Sequence, residues 1–233
     1  MISEISVFFP AFNEEKNLYE TVAKAVSVLN NNFKNWEVVI IDDGSMDGTP
    51  REIEKLKQLD SRITSVTHAQ NRGYGAAFRS GIYICRYNWI AFTDADGQFD
   101  FSEISNLVGV QEKTGADLVI GYYLKRSVPL YRKLNTFAWQ TVVNFLFGLS
   151  VRDIDCGFKL FSKRVVDTIA TLESERGAFI STEFLVKAKK SGFKVIETSV
   201  HHYPRRAGQG TGAKLNVIIK SFVDLFRLWR KLR

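Results

Sequence analysis

The sequence has little of what marks disulfide-rich, disordered or membrane-spanning chains. Its two cysteines, Cys85 and Cys156, are too few for a disulfide scaffold and lack the paired spacing of a zinc site. Glycine and proline are not enriched, and no low-complexity run or repeat indicates disorder. The chain has no basic leader and no window of about 18 uninterrupted apolar residues. These absences predict a folded cytoplasmic protein without a membrane span.

What the sequence does have is apolar content and positive charge. The 233 residues are 45% hydrophobic, enough to bury the core of one domain. The net charge is +7 and the pI is about 9.4, which favours anionic partners. Nucleic acid, a phosphorylated substrate and an acidic membrane all fit that charge, which by itself does not choose among them.

Short apolar runs alternate with helical segments through the first half of the chain. Strands are predicted at 5–10, 36–42, 63–68, 89–93 and 117–121. Helices are predicted between them, from Asn13 to about Leu29, from Thr49 with a capping box to Glu52, over 75–86, and after an Asp100 cap. This order predicts an α/β fold with a mostly parallel sheet covered by helices on both faces.

The second half departs from this alternation. We predict a long helix over 134–147, an irregular segment at 153–161, helices at 163–172 and 181–190, and a strand at 193–201. We therefore divide the chain into a domain over 1–213 and a final helix over 214–233. Within the domain, 1–121 is expected to bind the donor and 122–213 the acceptor.

Three acidic or amide-rich loops follow predicted strands one, two and four. Ligands of an open parallel sheet bind beyond the carboxyl ends of its strands, so these loops should converge at one edge. Asp94 and Asp96 follow the fourth strand with a spacing that lets both lean toward one cation. Oxygen ligands of this kind suit Mg²⁺ or Mn²⁺. Helix capping and turn formation are the alternative for Asp42, Asp43 and Asp47.

Six motifs, taken in order, resemble glycosyltransferase family 2, in particular its polyprenyl-phosphate branch typified by dolichol-phosphate mannosyltransferase. The motifs are FPAFNEE at 9–15, IDDGS at 41–45, NRGYG at 71–75, DADGQ at 94–98, DIDCGFK at 153–159 and RRAG at 205–208. The resemblance covers nearly the whole chain. It implies a GT-A fold, with one Rossmann-like, mostly parallel sheet flanked by helices, and a metal-dependent enzyme.

The resemblance also implies roles for individual residues. The nucleotide-sugar would be contacted by Pro10, Phe12, Glu14, Asp43, Ala95, Gln98, Arg205 and Lys214. Asp94 and Asp96 would hold the metal and act in catalysis, and Arg126 and Arg132 would bind the acceptor phosphate. A solvated surface charge is the alternative for each basic residue. The loop GQGTGAK at 208–214 departs from the family pattern, with Ala213 where a serine often precedes the lysine.

The implied reaction is inverting transfer of a hexose from a nucleotide-sugar, of the GDP-mannose or UDP-glucose type, to a polyprenyl or dolichyl phosphate. An ionised lipid phosphate needs no strong general base. A sugar hydroxyl would need one, and Glu183 is where the wider family often carries it. Transfer to a hydroxyl by a soluble enzyme is therefore the alternative, together with a relative that binds nucleotide or membrane without catalysis. We do not expect nucleic-acid binding.

The last helix is predicted to be amphipathic. Its apolar positions recur at helical spacing: Leu215, Ile218, Ile219, Phe222, Leu225, Phe226 and Trp229. Basic side chains lie mainly elsewhere, as in an interfacial helix, so we expect peripheral binding to the cytoplasmic face of an anionic membrane. Docking of this helix on its own domain is the alternative. Apolar residues of 139–147 could extend the membrane face or pack in the core.

Overall fold

A computed structural model describes residues 2–124, 130–175, 177, 179–205 and 215–232, with side chains for all of these except 130–135 and 215–220. The strands are β1 (Glu4–Ala11), β2 (Asn35–Asp42), β3 (Ile63–Thr67), β4 (Trp89–Phe92), β5 (Leu118–Tyr123), β6 (Lys159–Ser162) and β7 (Val195–Val200). The helices are α1 (Leu18–Asn32), α2 (Thr49–Leu59), α3 (Tyr74–Ile84), α4 (Ile104–Thr114), α5 (Leu130–Phe147), α6 (Lys163–Thr168), α7 (Phe179–Lys190) and α8 (Leu215–Leu232).

The seven strands form one sheet in the order β3-β2-β1-β4-β6-β5-β7. All neighbouring pairs are parallel except those of β6, which runs antiparallel to both β4 and β5. The predicted mostly parallel α/β sheet is thus confirmed. Its acidic loop follows β4, the middle strand, so the loop lies at the centre of one sheet edge.

The sequence does not predict strand β6, since 153–161 is expected to be irregular. It has only four residues, and its first residue, Lys159, is fully buried. Lysine is almost never buried without partners, so a sequence analysis based on apolar runs does not predict a buried strand that begins with Lys159. Only pairing between β4 and β5 makes this segment a strand.

Buried apolar side chains cover both faces of the sheet. On one face Phe78 of α3 packs against Phe8 and Phe92 of the sheet, and the three ring centroids lie 5.0–5.4 Å apart. On the other face α1 packs Leu18, Val22 and Leu29 against the sheet. The near-continuous apolar runs of β1 and β2 follow from this burial on both sides.

One predicted helix start is wrong, and one predicted capping box is absent although its helix, α2, does begin at Thr49. Helix α1 begins at Leu18 instead of Asn13, because Asn13 has a left-handed φ of 55° and belongs to the loop. The capping box at Thr49 is absent, since Gly48 occupies the cap position without a side-chain hydrogen bond. The Thr49 hydroxyl instead accepts from the Glu14 backbone at 2.8 Å, so it joins two loops. Asp100 does cap, accepting from Ser102 N at 2.9 Å ahead of α4.

The helices α5 and α8 each divide between docked and open faces. In α8, Leu225 and Leu228 are buried in the core, whereas Phe222 and Phe226 are 43% and 56% exposed. In α5, Val143 is buried and Phe145 is 87% exposed. Within the described residues, no helix is both long and apolar enough to span a bilayer. The alternative of an α8 docked on its own domain therefore holds for one face of that helix.

Candidate active site

The loop after β4 holds two carboxylates in partly buried positions. Asp96 is 9% exposed, and Ala95 between them is 2% exposed. Burial first, and the charge of Asp96 second, raise the pKa of Asp94 to about 7. Burial also raises the pKa of Asp96, although Gln98 N donates to its Oδ1 at 3.1 Å. Ionisation of both carboxylates is unfavourable in this environment, and a bound cation would offset that cost.

Asp94 is positioned by contacts from two other segments of the chain. The Tyr74 hydroxyl at the start of α3 donates to its Oδ1 at 3.0 Å. Burial and the Asp94 charge raise the pKa of Tyr74 well above its ordinary value, so the hydroxyl keeps its proton. From the other side the backbone at Gly157 comes so close that a Cβ there would lie 2.1 Å from Asp94 Oδ2. Only glycine leaves room for the carboxylate.

A buried lysine lies close enough to Asp94 to interact with its charge. Lys159 is fully buried, its Nζ donates to the Cys156 carbonyl, and it stands 5.6 Å from the centre of the Phe92 ring. Burial lowers the pKa of Lys159, and the carboxylates of Asp155, Asp153 and Asp94 oppose that shift. Lys159 and Gly157 belong to the motif at 153–159, but the sequence indicates no role for either, because their proximity to Asp94 arises from the β4–β6 pairing.

Arg205 joins the acidic loop to the loop after β1. Its guanidinium donates to Glu14 and lies 3.7 Å from Asp96 Oδ2. Glu14 is 9% exposed, and burial raises its pKa despite a hydrogen bond of 2.7 Å from Asn17 Nδ2. Residues 191 positions apart in the chain are thus brought together, and donor binding by Glu14 and Arg205 stays a prediction.

Gln98 joins the acidic loop to the segment that leads to Arg205, through hydrogen bonds with the backbone of Tyr203. Its Nε2 donates to the Tyr203 carbonyl at 3.0 Å, and Tyr203 N donates to the Gln98 carbonyl at 2.8 Å. The acidic loop and the segment leading to Arg205 are therefore connected at two points. A cleft of about 860 Å³ opens beside them, with Thr93, Gly97 and Arg205 among its lining residues. That volume is typical of small-molecule sites.

Asp43 has internal partners for both of its oxygens. It accepts from His68 Nδ1 at 2.7 Å and from the backbone N–H groups of Arg72 and Gly73 at 2.9 and 2.7 Å. Asp42 and Asp47 likewise accept from backbone N–H groups in their own loop. The local contacts of Asp42 and Asp47 are those of turn-forming residues, whereas Asp43 joins its loop to His68 and to segment 72–73. Nucleoside contact by Asp43 stays a prediction, as it does for Pro10 on β1 and the half-buried Phe12 beyond it.

Glu183 lies in a different environment. It is 2% exposed and accepts from Glu173 N and Ser174 N at 2.9 Å each and from Lys187 Nζ at 2.6 Å. Burial opposes ionisation, but these donors prevail and lower its pKa. None of these partners belongs to the 94–98 loop. Arg126 and Lys214 lie outside the described residues, as does the side chain of Arg132 on α5.

The acidic loop suits a hard divalent cation. Asp94 and Asp96 present only oxygen, and their raised pKa values reflect crowding that a cation would relieve. No cluster of three or more metal-ligating side chains occurs in the described parts of the chain. Mg²⁺ is commonly held by one or two carboxylates with substrate phosphates and water, so two aspartates fit a metal that arrives with a diphosphate.

Comparison with known proteins identifies relatives of the chain. The model for Glycosyl transferase family 2 matches residues 6–170. The chain is 32% identical over 217 residues to dolichyl-phosphate beta-glucosyltransferase of Dictyostelium discoideum, which covers 84% of this chain and 65% of that protein. It is 28% identical over 218 residues to undecaprenyl-phosphate 4-deoxy-4-formamido-L-arabinose transferase of Salmonella choleraesuis, which covers 93% of this chain and 65% of that protein. The chain thus spans about two thirds of the length of these curated relatives.

A solved structure with the same fold is glucosyl-3-phosphoglycerate synthase from Mycobacterium tuberculosis, crystallised with Mn²⁺, UDP-glucose and phosphoglyceric acid. The TM-score is 0.73 at 17% identity, over 97% of this chain and 79% of that one. At this identity the likeness establishes the fold, and the predicted GT-A architecture is confirmed. Because the family model spans most of the chain, the protein belongs to glycosyl transferase family 2.

Proposed function

We propose that the protein is a metal-dependent, inverting glycosyltransferase that moves a hexose from a nucleotide-sugar to a polyprenyl phosphate at a membrane surface. The observation that carries this proposal is the partly buried Asp94–Asp96 pair at the end of the central strand. Tyr74 donates a hydrogen bond to Asp94, and Arg205 forms an ion pair with Asp96. Named relatives that act on dolichyl and undecaprenyl phosphates support the acceptor class.

The donor would occupy the edge formed by the loops after β1, β2 and β4. Pro10, Phe12, Glu14, Asp43, Ala95, Gln98, Arg205 and Lys214 are the proposed donor-binding residues. Arg205 would exchange part of its contact with Glu14 for the donor diphosphate, which a guanidinium binds through two parallel hydrogen bonds. UDP-glucose is the first donor to test against GDP-mannose, because one relative is named a glucosyltransferase and a structural neighbour was crystallised with UDP-glucose.

Asp94 and Asp96 would hold Mg²⁺ or Mn²⁺. The metal, when bound, would neutralise charge on the departing nucleoside diphosphate. Tyr74 would keep Asp94 oriented, and Arg205 would supply a second positive charge near the same phosphates. The protein's own work is therefore to position the donor and to stabilise the leaving group.

A phosphate acceptor fits the state of Glu183. A lipid phosphate is mostly ionised at neutral pH and needs no strong base to take its proton. Glu183 has both oxygens occupied by donors and a lowered pKa, which makes it a poor base. This favours the lipid phosphate over a sugar hydroxyl. Arg126 and Arg132 are the proposed acceptor-phosphate residues.

A membrane-facing surface would come from the open faces of α5 and α8. Phe145 of α5 and Phe222 and Phe226 of α8 are exposed, and the two helices meet where Trp139 contacts Phe222 at 5.2 Å between ring centroids. Arg227 on α8 is also exposed and would face anionic headgroups. We propose peripheral binding at the cytoplasmic face, which also suits the two free, buried cysteines.

The reaction is tested with purified protein, labelled UDP-glucose or GDP-mannose, Mn²⁺ and a short polyprenyl phosphate. We expect label in the organic phase with one donor, and none when the matching polyprenol replaces its phosphate. Equal transfer to the polyprenol or to a free sugar would favour the hydroxyl acceptor. Donor binding without transfer to any acceptor would favour a non-catalytic relative.

Membrane binding is tested by flotation with vesicles containing acidic lipid at low salt. Phe226→Ser and Phe145→Ser should each lower the bound fraction by about tenfold, since each removes a large apolar side chain from the interface. Leu59→Ser is the control, because Leu59 is 52% exposed at the end of α2, outside the proposed surface. No flotation of the parent protein would refute the membrane proposal.

A further inference from the structure

The Glu183 carboxylate holds a segment of chain in place. Both of its oxygens accept from the backbone of segment 172–175, through Glu173 N and Ser174 N. Lys187 completes the set by donating to Glu183 and to the Thr171 carbonyl at 2.6 Å. Glu183 and Lys187 are each almost fully buried. The buried pair therefore anchors segment 172–175 to α7.

Segment 172–175 packs directly against the first turn of α3. A Cβ at Gly75 would lie 2.5 Å from the Ser174 carbonyl oxygen and 2.9 Å from that of Glu175. Ala76 N donates to the Glu175 carbonyl at 2.9 Å as well as to Gly73. The Glu175 side chain binds Arg79 at 2.8 Å, one helical turn further along. The position of this segment thus sets the position of the α3 start.

The first turn of α3 carries the hydroxyl that binds Asp94. Tyr74 lies between two anchored glycines. The N–H group of Gly73 donates to Asp43, and Gly75 packs against segment 172–175. The Tyr74 hydroxyl is 3.0 Å from Asp94 Oδ1. A continuous set of contacts therefore runs from Glu183 through segment 172–175 and Tyr74 to Asp94.

We propose that Glu183 is a positioning residue: it fixes segment 172–175 so that Tyr74 orients Asp94, and it takes no proton from the acceptor. This inference rests on the proposed function for its meaning in catalysis. The contacts themselves predict effects on metal binding and backbone protection, which can be measured without donor or acceptor.

The first test is Glu183→Gln in the full chain. Gln accepts at one atom only, so one backbone N–H of segment 172–175 loses its partner and Lys187 is left without its counter-charge. We expect Mn²⁺ affinity, measured by calorimetry, to fall about tenfold, as is usual when support for a metal ligand is lost. Amide exchange at Ala76 should quicken by about tenfold or more. The kcat should fall by about tenfold, well short of the 10³-fold typical of a lost base.

The matched control is Glu37→Gln. Glu37 is also a buried carboxylate with several donors, among them the Ser6 hydroxyl and Arg86 N, but none of them lies in segment 172–175. It should lower stability without changing Mn²⁺ affinity or Ala76 exchange.

A second variant reaches the same contact without leaving a buried charge unpaired. Gly75→Ala places a methyl group against the backbone of segment 172–175, whereas Gly109→Ala on α4 has no atom within 4 Å of the new Cβ. Gly75→Ala should reproduce the Mn²⁺ and Ala76 effects, and Gly109→Ala should reproduce neither. This pair remains informative if Glu183→Gln does not fold.

Tyr74→Phe tests the last contact and should combine with Glu183→Gln less than additively, because both act through Asp94. Unchanged Mn²⁺ affinity in Tyr74→Phe and Gly75→Ala would overturn the proposal. So would a kcat loss of about 10³-fold in Glu183→Gln with normal metal binding, which is the result expected of a general base. Absence of any transfer by the parent protein would instead refute the proposed function while leaving the metal and exchange results standing.

Discussion

The carboxylates of the 94–96 loop and the carboxylate of Glu183 have pKa values that burial and hydrogen bonding shift in opposite directions. Asp94 and Asp96, at the end of β4, crowd each other, and burial raises the pKa of both. Glu183, in the first half of α7, is buried more fully but accepts from three donors, and its pKa is lowered. A buried carboxylate short of donors needs a cation, whereas one that is fully satisfied holds structure. The comparison separates a binding role from a positioning role.

The comparison is tested most strongly by removing the charge of Asp96. Asp96→Asn keeps an acceptor for Gln98 N but removes the charge of a proposed metal ligand, so transfer should fall by about 10³-fold or more. Because it also relieves carboxylate crowding, the metal-free variant should melt no lower than the parent. Activity within about tenfold of the parent would break the assignment of this pair to the metal.

Gly157→Ala probes the space around Asp94. The added methyl would lie 2.1 Å from Asp94 Oδ2, so the carboxylate must move, and we expect Mn²⁺ affinity and kcat/KM to fall by about 10- to 100-fold. Gly109→Ala is again the control, since its methyl meets nothing. Normal Mn²⁺ binding in Gly157→Ala would mean that Asp94 does not need this orientation.

The two carboxylate groups should also differ in the sign of their pH dependence. In the metal-free folded protein the pKa of Asp94 is about 7, above its unfolded value near 3.9, so its contribution to stability falls as pH rises from about 4 to 7. The folded pKa of Glu183 is lowered, so its contribution is present above its unfolded pKa and is lost as pH falls through the folded value.

The measurement is urea unfolding in EDTA at several pH values. At neutral pH, Asp94→Asn should raise the free energy of unfolding and Glu183→Gln should lower it, and both differences should shrink toward acid. This is the smallest of the expected effects. The same sign for both variants at neutral pH would remove the distinction between the two environments.

Much of the proposed donor edge is predictable from local sequence. Strands β1, β2 and β4 are apolar runs that end on loops containing Glu14, Asp43 and Asp94, and parallel strands bring their carboxyl ends together. The contacts that remote segments make with the acidic loop could not be predicted in the same way. Arg205 was placed by resemblance alone, and the contacts of Tyr74, Gly157 and Lys159 with the site were missed, because each depends on a segment remote from Asp94 in the chain.

The sequence by itself determined the class of the fold, the family and the acidic loop, because apolar periodicity and clustered motifs are local properties of the chain. Only the tertiary structure decided that β6 pairs antiparallel with β4, that segment 172–175 and Lys187 donate to Glu183, and that α8 has one docked and one open face. These features depend on which donors reach a carboxylate and which apolar faces find a partner. That is settled by packing between elements distant in sequence.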